Sequence, residues 1–505
     1  MMKKLFQSIK QHQSVLALTA ILLIAAFLRL YRIQVLGRFI WDEGRDMLAI
    51  RQIIVERDLT LMGPYNEIDN QKDFFGVFHY YLMLPALWLA NFNPVGPAIF
   101  TALLGTAAIA LSWVWVKNWA GPKTALTVSA LLATSPLVVR YNQWAWNPNT
   151  IGFFGVSLLL LLQFWQKKPQ VWLSMLAGFV LGLLFQLHYF TIALGAAALT
   201  VFWLEKHLSN IQKILHTFVF SLSWLLPNLT FIIFDLTHQG FYRQILAESF
   251  SSSSDSYLQL EPWLIPWHSV RYLWLISAQF WKSSWLGIIQ FLTIIFWLIK
   301  ELTHGIKSRQ ATATFQLAVS WLAFLLIAGI FPNLINNYHS AFLWLGLPLS
   351  LSVVGKDWWQ NWSKQTQVVV LCFLIVYLSL QNRFWRQPRW SENMTLVRQA
   401  GQIIAQDYLE LENKSAEKLS FNVASLVDSD TRATRFRYFV IATGAKPLSF
   451  YHYPDSKILY VVSPHPWSEA KQNPAWELDK FRKGKEQLLW ENRGWRVYRV
   501  RPSAD

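Results

Sequence analysis

The residues of this chain best equipped for chemistry are two adjacent acids, Asp42 and Glu43, in the run Trp41-Asp42-Glu43-Gly44-Arg45-Asp46. They follow the first long apolar stretch, where a chain leaving a membrane meets water. Carboxylates are costly to hold at that boundary, so their presence points to chemistry on something presented there. A carboxylate can take the proton of an acceptor hydroxyl as that oxygen attacks a sugar carbon. Such a step resembles the base half of inverting glycoside chemistry. If the leaving group is a lipid phosphate, no general acid is needed, but the phosphate requires cationic or hydrogen-bonding donors. Lys72, His79, Arg140, His188 with its neighbour Tyr189, and Arg271 are the candidate donors, all near span ends or on interfacial segments.

A plainer account of the same residues exists. Met47, Ile50 and Ile54 recur at helical spacing after Glu43, which predicts an amphipathic helix lying along the membrane. Asp42 would then be its N-cap, with Glu43 favoured in the first turn by the helix dipole. The two accounts are compatible, because a capped carboxylate is also a positioned one. Consecutive helical residues point in different directions, so one acid is assigned to catalysis and the other to support. A single Lys or Arg at a span end is commonly a snorkelling anchor. A His beside Tyr, as at His79-Tyr80-Tyr81 or His188-Tyr189, is commonly an ordinary packed side chain.

The elements that must position these groups are membrane helices. Of the 505 residues, 53% are hydrophobic and only 15% charged, against about a quarter charged in soluble domains. Apolar runs near 14–31, 97–116, 122–139, 148–165, 170–187, 189–204, 213–234, 284–300, 312–330, 339–355 and 366–382 predict about eleven spans. Two further runs, 74–92 and 262–283, are interrupted by His79, Pro85, Pro266, His268 and Arg271 and are read as interfacial. With a cytoplasmic N-terminus, that choice puts Lys117, Lys123, Lys167, Lys168, Lys206, Lys213, Lys300, Lys307, Arg309, Lys356 and Lys364 inside. The net charge of +16 therefore speaks for topology rather than nucleic-acid binding. The outer face then holds 32–73, 140–149, the His188-Tyr189 turn, 235–283, 332–339 and everything from 388 onward.

The chain divides into a membrane domain, 1–387, and a small extracytoplasmic α/β domain, 388–505. The latter has β-rich runs at 436–442, 458–462 and 495–500 and a helical segment near 394–408. Residues 249–256 form a Ser-rich stretch in the long outer loop. Cys372 is the only cysteine, which excludes an intramolecular disulfide and any multi-cysteine metal site. The first apolar run lacks a small-residue cleavage site and reads as a retained helix. Asn393-Met394-Thr395 and Asn413-Lys414-Ser415 fit the glycosylation triplet, a frequent chance match.

Together these residues resemble the membrane-embedded GT-C glycosyltransferases, in the branch of protein O-mannosyltransferases and the aminoarabinose transferases of lipid A. The resemblance spans about 14–350. It rests on the first span, the Asp42-Glu43 pair, the Lys72…His79-Tyr80-Tyr81 segment and the Ser135-Pro136…Arg140…Asn147-Pro148 loop. It implies a polytopic α-helical fold in the plasma membrane, a polyprenyl-phosphate sugar donor, a hydroxyl acceptor of unknown kind, and catalysis by the first-loop acid, Asp42, with Glu43 beside it. One departure concerns metal. Relatives often carry an acid before the second-loop proline, whereas this chain has Asn147, which supplies no charge. A divalent metal is thereby disfavoured as a bridge between the loops, and metal dependence stays open.

Two other readings compete. A polysaccharide polymerase or ligase would rely on Arg and His in a long late outer loop, where 235–283 offers Arg243, His268 and Arg271. A glycolipid flippase would show mid-span charges and paired repeats, and neither is evident.

Overall fold

The structure is a computed structural model that describes residues 2–68, 71–250, 261–331, 335–355, 362–382 and 393–503. Side chains at 2–12, 66–68, 71–73 and 248–250 are outside that description. The Ser-rich stretch and the 387/388 domain boundary fall wholly or largely outside it.

In chain order the elements begin with α1 (Met2–Leu30), α2 (Ile33–Leu36) and α3 (Trp41–Glu56). A hairpin of β1 (Tyr65–Ile68) and β2 (Gln71–Phe74) precedes α4 (Phe78–Leu89), α5 (Val95–Ala120), α6 (Pro122–Thr134) and α7 (Pro136–Tyr141). The bundle continues through α8 (Ile151–Lys167), α9 (Val171–Leu187), α10 (Ala193–Leu204), α11 (Asn210–Thr237) and α12 (Phe241–Phe250). Then come α13 (Ile265–Trp281), α14 (Ser284–Ser308), α15 (Ala313–Ile330), α16 (Gly346–Val354) and α17 (Lys364–Gln381). The C-terminal unit comprises α18 (Met394–Lys414), β3 (Phe421–Ser425), α19 (Thr434–Ala442), β4 (Ile458–Ser463), α20 (Trp467–Ala470), β5 (Lys485–Asn492) and β6 (Trp495–Arg501).

Every run read as a span is helical along most of its length, and seven helices among the described residues are long and apolar enough to cross a membrane. The 122–139 run is not one helix. Proline forces Ser135 into an extended conformation, and the chain restarts as α7. Within the 262–283 run, read as interfacial, α13 packs across the two helices that follow it. Ser269 Oγ near the start of α13 donates to Leu325 O of α15, and Ala278 near its end meets Gly287 of α14. α14 and α15 are antiparallel, with Thr314 bonding Glu301 at their far end. Both ends of α13 therefore touch the same end of that pair, and the helix crosses it.

The C-terminal sheet has the order β3-β4-β6-β5, with β3 and β4 parallel and the remaining pairs antiparallel. β3 and β4 are buried throughout, as strands covered on both faces should be, although β3 is an edge of the sheet. The 436–442 run, expected as a strand from its aromatic and β-branched residues, is instead helix α19. Thr434 through Val440 are all buried, so no face stays polar and the period that marks a helix is hidden.

The largest departure concerns α3. Its apolar face was expected to lie on lipid. Met47, Ile50 and Ile53 are instead buried in one hydrophobic cluster with Val397, Ala400, Phe436, Phe439 and Val440 of the C-terminal unit. The two parts of the chain thus share a core around the first loop.

Candidate active site

The ends of several helices converge where the C-terminal unit sits. Arg29, wholly buried at the end of α1, donates to Ala133 O at the end of α6 (2.9 Å) and to Asn142 Oδ1 in the second loop (3.1 Å). Asn382 at the end of α17 donates to Thr134 O at 2.9 Å.

Helix α3 starts at this end, but Asp42 is not its cap. Ile40 occupies the N-cap position, and Glu43 turns back so that its Oε2 accepts the Ile40 N–H at 3.1 Å. The other Glu43 oxygen accepts the Ala145 N–H of the second loop at 3.2 Å. Glu43 is 2% exposed, and burial pushes its carboxyl well above the ordinary range despite those N–H groups and the nearby Arg38. Both of its oxygens are therefore committed to holding two loops together, which makes it the supporting acid of the pair.

Asp42 faces differently. Its Oδ1 accepts from Arg45 Nη1 at 3.0 Å, one helical turn on. The same guanidinium donates to Asp46 Oδ1 at 2.8 Å and to Tyr65 O of β1 at 3.3 Å. Burial alone would weaken the Arg45 charge, but Asp46 and Asp42 outweigh it and raise its pKa. Burial likewise opposes ionisation of Asp46, and Arg45 and His79 overcome it, holding that carboxyl below its usual value. His79 Nε2 lies 3.3 Å from Asp46 Oδ2 with both side chains fully buried, an ion-pair distance without good hydrogen-bond geometry. Asp42, Arg45, Asp46 and His79 thus form one chain of ionisable groups, with Asp42 at its least buried acidic end.

The remaining expected residues fall around this chain. Asn147 is buried and donates from Nδ2 to Leu187 O at 2.8 Å, joining the second loop to the end of α9. His188 follows directly, buried and pushed down to about 3 by burial, so its ring is neutral. It packs against Phe75 and meets His339 at a tilt, with ring centroids 4.2 Å apart. Tyr189 donates its hydroxyl hydrogen bond to Phe74 O, at the end of β2. Gly76 N–H donates to Gln186 O at 2.8 Å, and a Cβ at Gly76 would strike the Gln186 side chain. Lys72 pairs with Glu67 in the hairpin, and its side chain lies outside the described residues.

The contacts close into a ring: Asp42–Arg45–β1, β2–Tyr189, Leu187–Asn147, and Ala145–Glu43. Two candidates stand apart from it. Arg140 is exposed at the end of α7, and Arg271 is exposed on α13 beside Tyr272, whose hydroxyl bonds Ser340 near His339.

Several residues escaped the sequence reading. Arg45 and Asp46 share a helix face with Asp42 at i+3 and i+4, a spacing that could have revealed them. Arg38 lies 4.9 Å over Trp144, which stacks on Trp146 at 4.9 Å, and Tyr338 meets Trp146 at 4.5 Å. This aromatic platform beside a guanidinium left no spacing signal, because it joins two distant loops.

A metal bridging the two loops does not fit this donor set. Glu43 is saturated by backbone N–H groups, and Asn147 offers only a neutral carbonyl oxygen. Among the described residues no three His, Cys, Asp or Glu side chains converge on a common point.

Comparison with solved structures identifies the fold. ArnT from Cupriavidus metallidurans bound to undecaprenyl phosphate aligns over 96% of this chain and 97% of its own, with TM-score 0.58 and 13% identity. The Archaeoglobus fulgidus oligosaccharyltransferase tethered to an acceptor peptide aligns over 97% of this chain and 74% of its own, with TM-score 0.51 and 12% identity. No family model and no curated protein matches the sequence. The fold is that of the GT-C glycosyltransferases. Within that class the likeness to ArnT extends over nearly the full length of both chains.

Proposed function

We propose that the chain is an inverting glycosyltransferase that moves a sugar from a polyprenyl-phosphate donor to an acceptor hydroxyl at the outer face of the plasma membrane. The membrane domain, 1–387, carries the reaction, and the domain from 388 onward lies on the same, extracytoplasmic side. The observation that carries this reading is the chain of ionisable side chains ending at Asp42, ringed by the two loops, the hairpin and the end of α9. In the reaction the acceptor oxygen bonds to the anomeric carbon as the bond from that carbon to the phosphate oxygen breaks. Asp42 takes the hydroxyl proton, and the electron pair leaves with the lipid phosphate. Arg45 and Asp46 hold Asp42 in one direction, which supplies the positioning that such a step requires.

The neutral His188, Tyr189, Lys72, Arg140 and Arg271 serve the donor phosphate, with Arg38 and the Trp144–Trp146–Tyr338 platform beside them for phosphate and sugar. Support comes from the fold shared with a structure that holds undecaprenyl phosphate, and from the packing of His188 and Tyr189 against Phe75 and Phe74 within the ring of contacts around Asp42. The test is release of free lipid phosphate from sugar-labelled undecaprenyl-phosphate monosaccharides by purified protein in nanodiscs. Asp42→Asn is expected to lower turnover by about 10²–10⁴-fold with unfolding temperature unchanged. Full turnover in that variant would overturn the assignment.

A further inference from the structure

We infer that the C-terminal domain is a working part of the catalytic centre, and that Thr434 and Arg435 at the start of α19 are positioning residues for Asp42. The inference rests on the reading of Asp42 as the base, and adds to it what aims that base.

The contacts fall on backbone atoms flanking the acids. Thr434 Oγ1 donates to Trp41 O at 2.7 Å, immediately before Asp42. Arg435 Nη1 donates to Phe39 O at 3.1 Å, immediately before the N-cap residue. Its other nitrogens engage Asp428 at 2.5 and 3.0 Å, with both side chains almost wholly buried. The guanidinium sits 5.1 Å from the rings of both Phe436 and Trp495. A side chain on α3 would block this approach. A Cβ at Gly44 would lie 2.3 Å from Arg435 N, so the glycine lets the backbones of α3 and α19 touch. Further out, Arg38 pairs in a β-bridge with Asn393, where the described part of the domain begins.

Opposite this clamp stands the second loop, which holds Glu43 through the Ala145 N–H. The first turn of α3 is therefore gripped from two sides, by Glu43 toward the membrane loops and by Thr434 and Arg435 toward the sheet domain. Asp42 lies between the grips. Its direction is over-determined, as a base that must meet a hydroxyl within a few tenths of an ångström requires. The two hydrogen bonds to main-chain carbonyls fix the axis of α3 itself, which a contact to a side chain would not do.

The test needs no substrate. In full-length protein with Cys372 replaced by Ser, Asp42→Cys places one thiol at the site. Its alkylation by iodoacetamide is followed against pH in nanodiscs. Beside Arg45 the thiol is expected to react with a depressed apparent pKa. Adding Arg435→Ala should shift that profile toward the ordinary thiol range and change the rate by about tenfold, and Arg435→Lys should restore part of the shift. Tyr460→Phe serves as control, because it removes the Tyr460–Asp407 hydrogen bond within the same domain, away from α3. It should lower the unfolding temperature without moving the profile. Should Arg435→Ala fail to fold, Thr434→Val removes one hydrogen bond at nearly constant shape, and a smaller shift in the same direction is expected. A profile unmoved by Arg435→Ala, or by Thr434→Val where the former does not fold, or one moved equally by Tyr460→Phe, would overturn the inference. Turnover retained by Asp42→Asn would instead overturn the proposed reaction, and leaves the thiol result interpretable on its own.

Discussion

The two ends of the helical bundle treat charge in opposite ways. At the end that carries the sheet domain, Arg29, Asp42, Glu43, Asp46 and His79 are buried and share partners with one another or with main-chain groups. At the other end Lys123, Lys167, Lys168, Lys206, Lys300, Lys307, Arg309 and Lys364 are exposed. Lys167 Nζ stands 6.0 Å from the Phe164 ring, the part-buried Lys117 Nζ 4.4 Å from that of Trp113, and Lys213 Nζ donates to Trp203 O. Burying a charge costs several kcal/mol unless it is paired, so one end has invested stability in geometry while the other has only marked a boundary. Among the described residues, Glu301, whose Oε2 accepts from Thr314, and His216, beside Ser174 and Trp165, are buried exceptions at the far end.

The sharpest break of this comparison is chemical. Asp42→Asn keeps the shape of the side chain and removes its basicity, and should cost the 10²–10⁴-fold in turnover given above. Next comes Asp46→Asn. Asp46 touches no substrate in the proposed reaction, but its loss leaves the buried His79 without a carboxylate and the part-buried Arg45 with Asp42 alone. Removing one partner of a buried pair costs about 3–5 kcal/mol, visible as a fall in unfolding temperature, and turnover should fall with it. A stable Asp46→Asn variant would show that the buried chain of charges is not a unit.

Much of this was legible in the sequence, for identifiable reasons. Long apolar runs announce membrane helices without help from tertiary structure, and the Asp42-Glu43 pair stood out because acids are rare at such exits. What could not be read was partner choice. Met47 and Ile50 sit at a spacing that is equally apt for lipid or for protein, and only the fold shows that the sheet domain covers them. The same blindness applies to Arg435 and Thr434, nearly four hundred residues from the loop they hold. Asn393 illustrates the weakness of short motifs: the triplet is present, yet its side chain is buried and caps α18 by accepting the Thr395 N–H.

Glu43 sharpens the comparison through pH. Its carboxyl is held above the ordinary value by burial, so the folded state binds a proton more tightly than the unfolded state does. The sign follows: this group's stabilisation is complete below the unfolded pKa near 4.5 and is lost as pH rises toward the folded value. Each unit of upward shift costs about 1.4 kcal/mol by the time both states are ionised. Glu43→Gln has no proton to bind and should flatten that part of the pH–stability curve, read as unfolding temperature between pH 4.5 and 7.5. An unchanged slope would mean that another buried group carries it.

The smallest expected effect lies at the opposite end, and it decides whether the contrast is one of kind. Lys167 is exposed, and its contact with Phe164 is long, at the outer limit for a cation above a ring. Replacing it with Gln removes a charge from water rather than from a buried network, so the change in stability should stay within about 0.5 kcal/mol. Turnover of the lipid-phosphate donor should not move, because nothing connects this residue to the ring of contacts around Asp42. A loss approaching that of Asp46→Asn would mean that charge at both ends is structural to the same degree. In that case the burial of Asp42, Glu43 and Asp46 would lose its standing as a mark of the site.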